Sequence, residues 1–323
     1  MRIFLTGGAG YIGSICAEYL LDHGHELVVF DNLTEGHRSA VDERARFVEG
    51  DLNDRGGILA AVRDAAPEAV MHFAANALVA ESMRDPSKYF RNNVGGGVNL
   101  ADAAIASGVK VFIFSSTCAT YGVPERIPMD ESLPQHPINP YGESKLMFER
   151  VLDWYDRLHG LRHVNLRYFN AAGASGSFGE YHRIETHLIP NVLRVALGQS
   201  PHAELYGTAH PTPDGTCIRD FIHIIDLAQA HELALRAPCS ASYNIGTGTG
   251  YSVKQVIEAA RRITGHPIPV VEKPARPGDP PRLVAAADKL RRELGWHPKF
   301  DALGDIIASA WRWHQAHPNG YAD

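Results

Sequence analysis

Cysteine is scarce and scattered. The four cysteines, Cys16, Cys118, Cys217 and Cys239, stand far apart with no Cys-x-x-Cys spacing, which argues against a disulfide framework and a thiolate zinc site. Positive charge is also in short supply. Only seven lysines occur and the formal net charge is -6, so the basic footprint of a nucleic-acid surface or of an anionic-membrane binder is missing. The chain has no apolar run of about 18 residues, the length that reads as a membrane span. It goes straight from Met1 into a strand pattern with no signal-type region, so the expected compartment is the cytoplasm. No fixed-period repeat and no low-complexity tract breaks the pattern. Histidine is plentiful, with 17 residues, but the spacing shows no cluster with cysteines or acids, so no metal site is expected.

What remains is an ordinary enzyme-sized composition. At 323 residues and 45% hydrophobic content, the chain can bury a large core and suits two lobes. Its most informative stretch is Arg2 to Gly13, an apolar strand that breaks into glycines and continues as a helix. Gly7, Gly8, Gly10 and Gly13 satisfy both G-x-G-x-x-G and G-x-x-G-x-x-G. Such glycines allow the tight turn, the approach of backbone N–H groups to a pyrophosphate and the close packing of the next helix. The helix expected from about Tyr11 to His23 would aim its positive end at those phosphates. A second apolar strand, Glu26 to Phe30, then ends in Asp31, 18 residues beyond Gly13. A carboxylate there suits a ribose 2′-hydroxyl and repels a 2′-phosphate, which favours NAD over NADP.

Strands and helices alternate onward. Arg46 to Asp51, Glu68 to Ala75 and Val109 to Phe114 read as buried strands, with helices expected at Ala60 to Ala66 and from Pro86 past Tyr89 and Asn92 to Ala106. The fold class is therefore α/β, a Rossmann-type doubly wound parallel sheet followed by a smaller mixed α/β substrate domain. The strand Val111 to Ser115 leads into Ser116 and Thr117, and Pro140 opens a helix that carries Tyr141 and Lys145 at i and i+4 on one face. Chance would supply only about a quarter of one Tyr-x-x-x-Lys match in a chain of this composition. A phenol of pKa ~10 needs a shift of about three units, or ~4 kcal/mol, to act as a base near neutrality. A neighbouring ammonium and a positive nicotinamide both favour the phenolate, and Thr117 would relay the proton.

Here the sequence resembles the extended short-chain dehydrogenase/reductase family, and within it the UDP-glucose 4-epimerases. The likeness spans essentially the whole chain. It is carried by Thr6 to Gly13, Asp31 to Leu33, Gly50 to Leu52, His72 to Ala75, Asn92 to Val94, Ser115 to Thr117, Tyr141 and Lys145, and then by Arg167 to Gly173, His187 to Pro190, Asp214 to His223 and Arg276 to Asp279. The resemblance implies an NAD-dependent isomerase that interconverts UDP-glucose and UDP-galactose by reversible hydride transfer through a 4-keto sugar. Tyr141, Lys145 and Thr117 would be catalytic. Gly7, Gly10, Tyr11, Ile12 and Gly13 would hold the cofactor phosphates. Asp31 and Asn32 would hold the adenosine ribose, Asp51 and Leu52 the adenine, and Phe73, Ala74 and Asn92 the nicotinamide side, with Ser115, Tyr141, Lys145 and Tyr168 completing the cofactor set. Thr117, Tyr141, Asn170, His187, Leu188, Tyr206, Arg219, Arg276 and Asp279 would hold the UDP-sugar, with the two arginines matching a diphosphate in charge and geometry.

Residues 1–169, joined by about 221–240, would form the NAD lobe, and 170–323 the UDP-sugar lobe. The stretch Phe221 to Arg236 would return to the NAD sheet as strand and helix. Val253 to Thr264 and Asp301 to Trp313 read as amphipathic helices, with Trp311 and Trp313 as core. A homodimer is expected through the helices near 86–106 and 141–158, where Leu146, Met147, Val151 and Leu152 could form an apolar seam or face their own core. Epimerases of other UDP-sugars, a 4,6-dehydratase and a non-catalytic NAD-sensing protein are the rivals. Dehydratases of this family carry Asp-Glu after the threonine, where this chain has Cys118 and Ala119. Ala77 and Gly97 depart from the best-known epimerases, which have lysine and threonine there. Leu283 falls at a gate whose size separates plain hexoses from N-acetylhexosamines, and it implies a pocket of intermediate size.

Overall fold

A strand buried on both sides needs apolar residues throughout, because successive side chains point to opposite faces. In the computed structural model, which describes residues 1–276 and 278–323, the strands are β1 (Arg2–Thr6), β2 (Glu26–Asp31), β3 (Arg46–Glu49), β4 (Ala69–His72), β5 (Val111–Thr117), β6 (Arg162–Tyr168), β7 (Asn170–Ala172), β8 (Ala203–Tyr206), β9 (Ile218–His223), β10 (Ala241–Ile245), β11 (Gly250–Ser252), β12 (Val270–Lys273) and β13 (Arg282–Leu283). Seven of them pair, all in parallel, in the order β10-β6-β5-β4-β1-β2-β3. The alternation splits each strand between two cores. Ile3, Leu5, Val29, Met71, Ile113 and Val164 pack with helices α1 (Tyr11–Asp22) and α8 (Ile224–Ala234) on one face. Phe4, Val28, Phe30, Val70, Phe112 and Phe114 pack on the other face against α2 (Arg55–Ala65), α5 (Gly97–Ala106) and α6 (Pro140–His159). This is the doubly wound Rossmann-type sheet expected from the alternating pattern.

The remaining strands make smaller sheets. β9 pairs with β7, β11 and β13, and β8 pairs with β12. Helices α7 (Leu188–Ala196), α9 (Val253–Thr264) and α11 (Leu303–Ala316) cover them and share a core that includes Ile189, Leu193, Leu205, Val256, Ile257, Ile306 and Trp311. The short helices α3 (Val79–Ser82), α4 (Pro86–Tyr89) and α10 (Asp288–Leu294) complete the set. Trp311 and Trp313 are both buried, as their placement on an amphipathic helix suggested.

Two elements differ from the sequence expectation. The stretch Phe221 to Arg236 does not return to the large sheet as a strand. β9 stays in the small sheet, α8 packs on α1, and β10 is the strand that completes the large sheet beside β6. The buried carboxylate of Asp220 holds β9 there by accepting from the amides of Thr247, Gly248 and Ala285 at 2.8, 2.9 and 3.1 Å. Second, the helix from Pro86 to Ala106 is interrupted by a π-helical turn at Phe90–Gly96. Close packing explains the glycines around it: a Cβ at Gly97 would meet the Phe148 ring at 2.6 Å, and one at Gly96 would meet Leu52 at 2.9 Å. Among the described residues no helix is long and apolar enough to cross a membrane.

Candidate active site

All strands of the large sheet run the same way, so their carboxyl ends line one edge. The chain leaves β1 toward β2 on one side and returns to β4 on the other, and a crevice opens where the order reverses. β1 breaks there at Gly7, with φ of 76°, and a Cβ on it would lie 2.4 Å from the Ala74 amide nitrogen. A Cβ at Gly13 would lie 2.2 Å from the Gly7 carbonyl oxygen. These two positions exclude side chains, and α1 begins after Gly10 with no side-chain cap. Its first amides and dipole are thereby left to an anion.

Asp31 fastens this turn. Its buried carboxylate accepts from the Ala9 amide at 3.0 Å and from the Leu33 amide at 2.9 Å. Burial raises its pKa, while those amides oppose the rise. Asn32 donates to Asp51 at 2.9 Å, which brings together two of the residues expected around the adenosine. Leu52 is buried with Phe30 and Phe4. Phe73 packs on the His231 ring at 4.8 Å between centroids, and the same histidine is hydrogen-bonded to the hydroxyl of buried Tyr168. Asn92 is half-buried and donates to Asn93. Asn93 is the buried clamp: it accepts from the Asn76 amide at 2.9 Å and donates to the Asn76 carbonyl and the Ser144 hydroxyl at 3.0 Å each. Sequence reading named Asn92 and passed over its neighbour, which lies on the inner side of the π turn.

β5 delivers Ser115, Ser116 and Thr117, all buried, to the same edge. The Asn139 side chain caps α6 by accepting from the Gly142 amide at 2.8 Å. A Cβ at Gly142 would meet the Ala119 carbonyl oxygen at 2.5 Å. The start of α6 therefore presses on the turn that follows Thr117, which brings Tyr141 to the threonine. Burial pushes the Tyr141 phenol up to about 12, against the Thr117 hydroxyl, which favours the phenolate. Lys145 donates to the Ser115 carbonyl at 2.9 Å and lies 4.9 Å from the centre of the Phe114 ring. Burial pulls its ammonium down to about 7, against Glu149, which supports its charge. The lowering of the phenol that the Tyr/Lys spacing suggested is thus not supplied by the protein alone, because desolvation dominates at both groups.

Beneath this edge lies a buried polar network. Arg167 donates to both oxygens of Glu149 at 3.0 and 2.6 Å, and to the Tyr121 hydroxyl at 2.8 Å. Ser116 also donates to Glu149, and Tyr121 donates to Asn244 at 2.8 Å. Ser116, Tyr121, Glu149, Arg167 and Asn244 come from five separate segments, so β5, the turn after it, α6, β6 and β10 are locked beneath the edge that carries Thr117.

The expected nucleotide-side residues come from the small sheets. Arg219 pairs with Asp279, and its charge is felt at Cys118, next to Thr117. The Arg276 guanidinium sits 4.0 Å over the Tyr206 ring. Asn170 opens β7, directly beyond Tyr168, while His187 and Leu188 occupy the N-cap and first turn of α7. Leu283 pairs with Arg219 in the sheet and packs near Tyr121, Met129 and Phe169, alongside Cys118. Arg219 and Leu283 therefore lie near the turn that follows Thr117, and Arg276 lies against Tyr206. The spacing also gave no sign that Glu180, His182, Glu185 and His187 form a compact group, with one side-chain N or O atom from each and all four within 4.8 Å of one another. The intervening turn unites four residues whose spacing matches no common ligand motif.

A family model described as the NAD dependent epimerase/dehydratase family matches residues 3–246. The chain is 50% identical over 331 residues to the UDP-glucose 4-epimerase of Streptococcus mutans, with 100% of this chain and 99% of that protein covered. It is 47% identical over 329 residues to that of Lacticaseibacillus casei, with the same coverage. A crystal structure of UDP-glucose 4-epimerase from Brucella ovis in complex with NAD superposes with a TM-score of 0.93 at 46% identity, covering 97% of this chain and 98% of that one.

Proposed function

The chain belongs to the NAD dependent epimerase/dehydratase family, and from that premise we propose that it interconverts UDP-glucose and UDP-galactose with NAD as cofactor. The observation that carries the reading is the meeting of Tyr141, Thr117 and Lys145 at the carboxyl edge of a sheet whose glycine turn has no room for side chains. The cradle fits a dinucleotide: Gly7, Gly10, Tyr11, Ile12 and Gly13 would hold the phosphates, and Asp31, Asn32, Asp51, Leu52, Phe73, Ala74, Asn92, Ser115 and Tyr168 the rest. Bound NAD supplies a hydride acceptor and donor at C4 of the sugar, together with a positive charge. Tyr141 takes the proton of the 4-hydroxyl and returns it after the ketone has turned over, with Thr117 relaying it. From a phenol at about 12, ionisation near neutrality asks for about 7 kcal/mol of added stabilisation. Lys145, whose own ammonium burial pulls down to about 7, and the cofactor's charge would have to provide it together. Arg219 and Arg276 neutralise the diphosphate, Asn170, His187, Leu188, Tyr206 and Asp279 complete the nucleotide site, and the hexose is left without a charged anchor, as its rotation requires.

Dehydration is disfavoured by the turn after Thr117. Cys118 and Ala119 offer no carboxylate, and burial pushes the Cys118 thiol up to about 12. In this reading the NAD lobe is residues 1–169 with the join drawn around α8 and β10, and residues 170–323 otherwise hold the UDP-sugar. Incubating the protein with UDP-galactose, UDP-N-acetylglucosamine and UDP-pentoses and separating the products tests the assignment, which fails if no 4-epimer forms. Leu283→Tyr is expected to lower turnover of the N-acetylhexosamine by about tenfold or more and to spare the plain hexose. Equal losses on both sugars would remove Leu283 from the gate.

The finer reading adds a homodimer and the cytoplasm. On α6, Leu146 and Leu152 are buried and Val151 packs against the protein's own core, so the proposed seam shifts to Met147, Trp154 and Leu158, which are 40%, 58% and 70% exposed. Trp154→Glu with Leu158→Glu should yield a monomer by light scattering, and an unchanged mass would move the interface elsewhere. All four cysteines are free, in keeping with a reducing compartment; recovery from a membrane or secreted fraction would contradict it.

A further inference from the structure

Between β7 and α7 the chain folds back on itself and gathers two carboxylates and two imidazoles. His187 Nδ1 lies 2.8 Å from Glu185 Oε1 and 3.1 Å from Glu180 Oε1, and His182 Nε2 lies 3.2 Å from the same Glu180 oxygen. The two rings are 4.8 Å apart. Both carboxylates are withdrawn from solvent, with side chains only 5% and 1% exposed for Glu180 and Glu185. Hydrogen bonding accounts for the close contacts but leaves one atom over. One Glu180 oxygen faces two ring nitrogens, and one nitrogen of His187 faces two carboxylate oxygens. Among the described residues, Glu185 Oε2 is buried with no hydrogen-bond partner at all, a costly arrangement for a charged group.

A small cation bound through Glu185 Oε2 gives that oxygen its partner and leaves Oε1 to the His187 amide. Bonds of about 2.0–2.2 Å in a tetrahedron set neighbouring ligands roughly 3.3 Å apart, comparable with the 3.2 and 3.1 Å from His182 and His187 to Glu180, and all four ligand atoms lie within 4.8 Å of one another. Two neutral imidazoles with two carboxylates carry a charge that a divalent ion cancels. We infer that Glu180, His182, Glu185 and His187 form a binding site for one divalent transition cation, with zinc as the best match. Imidazole donors select against magnesium and calcium. Four protein ligands leave no open position, so the site is structural and takes no part in the sugar chemistry. Its surroundings fit that role. The His187 amide donates to Glu185 at 2.7 Å and orients that ligand. Tyr11, in the first turn of α1, presents its ring edge to His182 at 6.2 Å and donates to the Gly173 carbonyl at 2.7 Å. An ion here would brace the start of α7 against the glycine turn.

The test is a metal titration of the full-length protein after treatment with a chelator. Elemental analysis after incubation with ZnCl2 is expected to find one zinc per chain. CoCl2 should give the intense visible bands of a four-coordinate site, which ZnCl2 abolishes, and zinc should raise the melting temperature by several degrees. His182→Ala and Glu185→Gln should each weaken zinc binding by about a hundredfold or more. Substoichiometric zinc with no cobalt bands in the wild-type protein overturns the site, as does equal binding by wild type and both variants. The wild-type titration decides the matter even where a variant folds badly, and it is independent of whether any UDP-sugar is converted.

Discussion

A Tyr141→Phe protein is expected to turn over UDP-galactose about a thousandfold more slowly than the parent while keeping its affinity for NAD and for the UDP-sugar. The substitution removes one hydroxyl and little packing. The ring would keep its edge-on contact with Tyr89, 6.4 Å between centroids at 81°. No neighbour is placed to take over. Thr117 is a neutral alcohol whose oxygen already accepts from the Ala119 amide at 3.1 Å, and the Lys145 ammonium is committed to the Ser115 carbonyl. An interaction made only as the proton moves shows itself in kcat with KM unchanged. Steady-state kinetics on the cofactor-loaded variant make the comparison. A kcat within a few-fold of the parent would mean that another group handles the proton.

Glu149→Gln should have the largest effect on stability, lowering the free energy of unfolding by about 3–5 kcal/mol. The carboxylate and its partner Arg167 are 4% and 7% exposed, and they are joined by two hydrogen bonds. An amide can satisfy part of that geometry but leaves the guanidinium buried without a countercharge. Stabilities of single domains run to about 5–15 kcal/mol, so a loss of this size should be plain in urea titrations. Replacing both members, Glu149→Leu with Arg167→Met, should recover much of the loss, because a buried pair removed together leaves no orphan charge. A single variant that melts with the parent would show that the pair is not the brace it is taken for. Glu149 also supports the charge of Lys145, so Glu149→Gln is expected to slow the reaction as well.

What was legible in the sequence was local. The glycine turn, Asp31, the serine and threonine at the end of β5 and the i, i+4 relation of Tyr141 and Lys145 are each set within a few residues, so spacing alone displays them. Asp220 and the Glu149, Arg167, Tyr121 and Asn244 group were not legible, because their partners come from strands that become neighbours only when the sheets close. A faint signal existed: Glu149 lies one turn beyond Lys145 on the inward side of α6, and Arg167 is a charge inside an otherwise buried strand. The grouping of Glu180, His182, Glu185 and His187 was hidden for the same reason. Residues at i, i+2, i+5 and i+7 share no face of a helix or strand, so only an irregular turn could unite them. Which apolar residues of α6 face inward was a matter of phase, since both faces of that helix carry leucine or methionine and burial alone assigns them.

The order of the large sheet also bears on how the chain is made. β6 must wait for β10, its outer neighbour, until residue 245 has been synthesised, 77 residues after β6 ends. At ordinary elongation rates that interval is roughly 4 to 15 seconds. Throughout it the nascent chain displays an unpaired edge of the strand that carries Arg167, so the ribosome-bound intermediate is most prone to stick to its neighbours while the small sheets are still emerging.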